Sequence, residues 1–261
     1  MNPSSSRPLL VAAAQTTVVA HDVARNVQTH LAFVRAAAHE GAQLLVFPEL
    51  SLTGYELPQL AAHVMDAEHP MLVPLRQAAR DHGVALVVGA PVPPSRADGP
   101  PAIGAWVLNA DGSVALYRKR HLHGSEVQFA SAGLDDALVL PLADTPTGLA
   151  ICADATHPEH AKAAATAGAA LYASGALISE HGYGPESAQL QGYARDHAMA
   201  VLLANHGGPS GGYVSAGRSA FWAPGGALVA AAPGAGDCLV LAQRDRERAW
   251  SGRVVPVDAA A

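Results

Sequence analysis

The sequence predicts an α/β fold, a four-layer α-β-β-α sandwich of two mixed sheets. Three observations carry that expectation. Short apolar runs alternate with helical patterns, as βαβ units require. Hairpin signals interrupt them in the middle and near the end, so both sheets should also hold antiparallel strands. The 261 residues, half of them apolar, suffice for a large core, and no linker splits them. The expected organisation is one domain over residues 1–261.

The elements follow in order. Leu9 to Ala14 reads as a buried first strand. Asp22 can cap a helix in which Val23, Val27, Leu31, Val34 and Ala38 recur at helical spacing until Gly41. LLVFPE (44–49) reads as a buried strand, 70–82 as a helix stopped by Gly83, and ALVVGAPV (85–92) as another buried strand. Residues 102–119 read as two strands around Asn109-Ala110-Asp111-Gly112, a hairpin signal. Strands are expected near 137–140, at GLAIC (148–152), at 170–174 and at 200–205. Helices should run from Pro158 to about Ala167 and near 186–198. SAFWA, a Pro224-Gly225-Gly226 turn, ALVAA and CLVLAQ (238–243) restore an antiparallel pattern.

Composition narrows the function. Sixteen basic against 22 acidic residues give a net charge of −6, which argues against nucleic acid or an anionic membrane as partner. Two cysteines are too few for a secreted disulfide framework, so a reduced, cytoplasmic setting is expected. The start, MNPSSSRPLLVAAAQ, faintly resembles a signal peptide but reads better as the approach to the first strand. No apolar run reaches the ~20 residues of a spanning helix.

Three chemically capable residues stand where an apolar strand ends: Glu49, Lys119 and Cys152. Ends of strands are where α/β sites collect. A thiol needs a base to become a nucleophile, and Glu49 can be that base. Lys119 can hold an oxyanion, helped by the backbone N–H of Ala153, and a strand-to-helix turn would expose the sulfur. Taken singly, each residue also has an ordinary structural explanation.

Together, LLVFPELSLTGY, YRKRHL and GLAICAD resemble, in order, the three signature segments of the nitrilase superfamily of carbon–nitrogen hydrolases. The likeness extends from VAAAQ to GRSAFWAPGG. It implies Glu49 as general base, Lys119 as oxyanion-stabilising lysine and Cys152 as nucleophile. Glu126 matches a second glutamate that orients the lysine or the substrate amide, and Tyr55 is expected to line the pocket. The implied reaction is hydrolysis of a nonpeptide C–N bond through a thioester, without metal or organic cofactor. An amide is the first choice of small-molecule substrate, an N-carbamoyl compound the second and a nitrile the third. The resemblance also implies a homodimer or larger homo-oligomer.

The chain departs from the family pattern in three places, one of them His157-Pro158-Glu159, where an aromatic-Pro-Glu segment is more usual. Ala153 stands where an aromatic residue often follows the nucleophile, and Ser174-Gly175-Ala176 replaces an Asn-Pro-Ala type segment. Small residues there suggest a roomier pocket. Rival readings are acyl transfer at the same thioester, a catalytically silent scaffold, and a metal hydrolase built on His121-x-His123 or His157-x-x-His160. Neither histidine pair has a known hydrolase metal spacing, so surface and loop histidines are the preferred reading. Cys238 reads as core, GGPSGG (207–212) as a loop near the pocket mouth, and Asp154 and Glu159 as residues that tie down the turn after Cys152 and the start of its helix.

Overall fold

Strands buried on both faces need apolar side chains at every position, and the central segments supply them. In the computed structural model, which describes residues 8–134 and 139–258, these runs become strands. Along the chain come β1 (Leu9–Gln15), α1 (Val23–His39), β2 (Leu44–Val46), α2 (Val73–His82), β3 (Ala85–Val92), β4 (Ala102–Leu108), β5 (Val114–Arg118) and β6 (Val139–Leu142). Then follow β7 (Thr145–Ile151), α3 (Pro158–Thr166), β8 (Leu171–Ala176), α4 (Tyr183–Asp196), β9 (Ala200–Asn205), β10 (Ala220–Trp222), β11 (Leu228–Ala231), β12 (Cys238–Arg244) and β13 (Trp250–Pro256).

The first sheet has the order β13-β12-β1-β2-β3-β4-β5 and the second β11-β10-β9-β8-β7-β6. In each, three strands run parallel (β1-β2-β3 and β7-β8-β9). Antiparallel strands flank them on both sides. Side chains alternate between faces. Val11, Ala13, Val46 and Val87 therefore point at Ile151, Ala173 and Leu202 of the other sheet, forming the core between sheets. Ala12, Leu45 and Leu86 face outward under Phe33 and Leu75 of α1 and α2. Ala150, Tyr172 and Val201 lie under Ala164 and Leu190 of α3 and α4. These are the four expected layers of the α-β-β-α sandwich.

Several boundaries differ from the sequence reading. β2 ends at Val46, three residues short, because Phe47-Pro48 turns the chain out of the ladder and Leu50 takes a positive φ of 49°. The 70–82 helix begins as a 3-10 turn at Pro70–Leu72. Of the strand expected at 137–140, residues 137 and 138 lie outside the described residues. β7 stops at Ile151 and leaves Cys152 outside it. α4 starts three residues early, at Tyr183. β13 was not expected: it is an edge strand, exposed over much of its length, with no alternating pattern. No described helix is long and apolar enough to cross a membrane.

His30 on α1 shows what this packing costs in charge. It is buried against Phe47, its Nδ1 bonded to the Asn26 carbonyl and its Nε2 to the Ser51 hydroxyl. Burial lowers its pKa to about 4, against the opposing pull of the Asn26 carbonyl. In the unfolded chain the same group titrates near 6.5. Between those values the unfolded state binds the extra proton, so the contribution of His30 to stability is intact above about 6.5 and is lost as pH falls. Raised carboxyls elsewhere have the opposite sign, so a single-variant difference is the clean measurement. By urea unfolding, the stability gap between wild type and His30→Gln should shrink by about 1–2 kcal/mol from pH 6.5 to pH 5. A gap independent of pH would contradict a buried neutral His30.

Candidate active site

Glu49, Lys119 and Cys152 follow the C-terminal ends of β2, β5 and β7. β3 runs parallel to β2, and β4 and β5 each reverse direction, so β2 and β5 end at the same end of their sheet; β8, parallel to β7, meets the Phe47 carbonyl there. Glycines make this junction possible. A Cβ on Gly89 of β3 would lie 2.3 Å from the Pro48 carbonyl, and one on Gly175 of β8 would lie 2.5 Å from the Phe47 carbonyl. The Phe47–Glu49 segment is thus wedged between the two sheets. His206, after β9, bonds through Nε2 to the Glu49 carbonyl at 2.6 Å and fixes it there.

Lys119 is fully buried, and its Nζ donates to Glu49 Oε1 and to Glu126 Oε1, each at 2.6 Å. An ammonium has three N–H donors, so one remains. Glu126 Oε1 also accepts from the Tyr55 hydroxyl at 2.6 Å, and Oε2 accepts from the His123 N–H at 2.7 Å. Both oxygens of Glu126 are therefore engaged, and it holds Lys119 in place. Glu49 is not saturated: its Oε2 is buried without a partner. Burial lifts the Glu49 carboxyl to about 7, against the pull of Lys119 and with help from Glu126. Burial alone would strip the Lys119 proton, but Glu49, Cys152 and Glu126 outweigh it and its pKa lies above the ordinary value.

Cys152 opens a 3-10 turn, Cys152–Thr156, with a positive φ of 46°. Such a conformation is costly for a side chain other than glycine, and here it turns the thiol out of the line of β7. The Cys152 Sγ lies 4.0 Å from the Leu177 carbonyl oxygen, and the thiol and the Glu49 carboxyl interact electrostatically. Burial pushes the Cys152 thiol well above its usual pKa; Glu49 adds to the rise and Lys119 opposes it. The thiol is therefore protonated beside a carboxyl that titrates near neutrality. The Ala153 N–H lies in the first turn, where backbone donors have no intrahelical acceptor.

Asp154 ties down this turn, as the sequence suggested, and does more. Its Oδ2 accepts from the Ile151 N–H and the Tyr117 hydroxyl; its Oδ1 accepts from the N–H groups of Arg120 and His121. One carboxylate thus joins the cysteine turn to the lysine segment. Burial would raise its pKa, but the bonds from His121 and Tyr117 and the nearby His160 bring it below the usual value. Asp154→Asn keeps the size and loses acceptor capacity. It should lower kcat/KM by about a hundredfold, the cost of a displacement near 1 Å, and slow alkylation of Cys152. Unchanged alkylation would refute this role.

A cavity of about 140 Å³ opens above the sulfur, lined by Tyr55, His123, Ala153, Leu177, Glu186 and Tyr213 among others. Tyr55 and Ala153 were expected there. Tyr213 is brought by the loop after β9, which does reach the mouth. Ser174, Gly175 and Ala176 are buried in β8 and do not line this cavity, so their small size admits the Phe47 carbonyl rather than enlarging the pocket. Asn205 clamps Ile178 and Gly217 and is structural. Cys238 is buried in β12, as read. Sequence reasoning missed His206 and Glu186. Tyr117 had a signal, since it shares a strand face with Lys119 two residues on.

The histidines sort differently from their sequence pairing. His160 is buried between the hydroxyls of Tyr117 and Tyr172. His121 and His157 come together with Glu159, their ligand atoms all within 4.8 Å of one another. The two rings are stacked, 3.9 Å between centroids and 18° between planes, so their in-plane lone pairs run side by side rather than converging. The Nδ1 atoms are engaged by Asp154 and by the Ala153 carbonyl. This pairing braces the turn around Cys152.

Fold and site together define an α-β-β-α sandwich enzyme with a buried carboxylate–ammonium–thiol cluster. The profile of the carbon-nitrogen hydrolase family matches residues 10–253, and the chain belongs to that family. It is 29% identical to a hydrolase of Pseudomonas protegens, over 90% of this chain and 82% of the relative. It is 28% identical to N-carbamoylputrescine amidase of Solanum lycopersicum, over 94% of this chain and 89% of the relative. Among solved structures it resembles the amidase of Nesterenkonia sp. AN1, a nitrilase-superfamily protein. In one of those structures the acetamide moiety of fluoroacetamide is covalently added at the active-site cysteine; the TM-score is 0.83 and the identity 28%, over 95% of this chain and 94% of that one. The protein is a carbon–nitrogen hydrolase of this superfamily.

Proposed function

We propose that the enzyme hydrolyses small amides or N-carbamoyl amines through a cysteine thioester, with Glu49, Lys119 and Cys152 as the reacting set. The observation that carries this reading is the buried, partnerless Oε2 of Glu49 beside the thiol. A buried polar atom without a partner is costly, and a base needs such a free oxygen. The covalent adduct on the cysteine of the Nesterenkonia amidase supports a nucleophilic thiol, and the names of that amidase and of the Solanum relative support amide and carbamoyl substrates.

The steps balance as follows. Glu49 takes the Cys152 proton as the sulfur attacks the carbonyl carbon. The third N–H of Lys119 and the Ala153 N–H receive the developing oxyanion. Glu49 returns the proton to the leaving nitrogen, the C–N bond breaks, and ammonia or an amine departs. Water then attacks the thioester, giving its proton to Glu49, and the sulfur leaves and regains a proton.

The test is ammonia or amine release from a panel of amides, N-carbamoyl amines and nitriles, followed across pH. Release is expected from the first two classes. Its kcat/KM should fall as pH drops through about 7, where Glu49 takes up a solvent proton. Release only from nitriles, or an acid limb near 4, would each overturn the assignment.

A further inference from the structure

Glu186 sits in the first turn of α4, half-buried, and lines the same cavity as Cys152. Its carboxylate has no hydrogen bond or ion pair among the described residues. It folds back over the start of the helix: a Cβ on Gly182 would lie 2.6 Å from its Oε1. Burial raises its pKa, Lys119 pulls against that rise, and its charge adds to the rise of the Cys152 thiol that burial and Glu49 produce. Lys119 cannot neutralise it, because that ammonium already holds both Glu49 and Glu126. Glu186 is thus the carboxylate that lines the cavity, while Glu49, Lys119 and Glu126 are buried beside it. At its mouth Tyr55 and Tyr213 meet edge to face, with 5.8 Å between ring centroids, and aromatic faces favour cations.

We propose that Glu186 is a specificity residue that selects substrates whose far end carries an ammonium group. The inference rests on the reading of this cavity as the acyl site. An anionic far end is rejected by the same charge, and a neutral one leaves the carboxylate without a counter-charge. The substrate class is then a short amide or N-carbamoyl derivative of a diamine, not of an amino acid bound through its carboxylate.

Two measurements test this. The first compares kcat/KM for three compounds of equal length, ending in ammonium, methyl or carboxylate. Wild type should favour ammonium over methyl by at least about tenfold, mainly through KM, and Glu186→Gln should bring the ratio toward one. The second needs no turnover. Alkylation of Cys152 by 2-bromoethylammonium and by iodoacetate, each relative to iodoacetamide, is followed by intact mass. Glu186→Gln should slow the cationic reagent and speed the anionic one. Ratios unaffected by the substitution, or a wild-type preference for carboxylate, would overturn the proposal. If no compound is hydrolysed yet the alkylation ratios shift, the hydrolytic reading fails and the charge selection stands.

Discussion

Cys152→Ala should abolish turnover, lowering kcat by about four to six orders of magnitude, the range seen when a nucleophile is removed from a triad. Glu49, Lys119 and the oxyanion donors would remain, but they have nothing to act through. The side chain sits at a cavity floor and the substitution is small, so thermal unfolding and circular dichroism should match wild type. The measurement is ammonia release alongside intact mass after iodoacetamide treatment. Wild type should gain one adduct that blocks turnover. In the variant that adduct should be absent, because Cys238 is buried in β12. Turnover within roughly a hundredfold of wild type would remove the thioester from the scheme.

Lys119→Met should have the second largest effect, and on two observables. Activity should be lost with the oxyanion donor. Stability should also fall, because Glu49 and Glu126 would face each other in the interior without the ammonium both now bond. Breaking a buried charge pair costs about 3–5 kcal/mol. The remaining carboxyls would reduce this by taking up protons. Adding Glu126→Gln removes one of the two carboxylates and should restore part of the stability, but none of the activity. Denaturant unfolding of both single variants and the double variant gives the coupling. Additive losses would mean that the three side chains do not form one electrostatic unit.

The strands and the residues of the proposed reacting set were legible for one reason: a strand covered on both faces is a continuous apolar run, and a charged residue or thiol at its end stands out. Leu9–Gln15 and Ala200–Asn205 are such runs. β13 was illegible because it is an edge strand whose exposed side chains follow no pattern. Glu186 was illegible for a related reason. In the sequence it is one more polar residue on a polar helix, and only the placement of α4 against the Cys152 turn gives it a cavity to face. Asp154 lay between these cases. Its proximity to Cys152 suggested a turn, but its bonds to Arg120 and His121 span more than thirty positions and depend on the two sheets meeting.

β1 pairs with β12 along its whole length, from Leu9 with Arg244 to Gln15 with Cys238. The Gln15 side chain then bonds to Gly234, Gly236 and Ser219. During synthesis this has a consequence in time. A chain made only as far as β9 carries Glu49, Lys119 and Cys152, yet one edge of β1 is still bare, apolar and open to pairing with another strand. Contacts this distant in sequence slow folding and prolong exposure of such edges. The interval between translation of β9 and of β12 is therefore when a nascent chain most needs a chaperone, and when β1 is most prone to pair with a neighbouring ribosome's product.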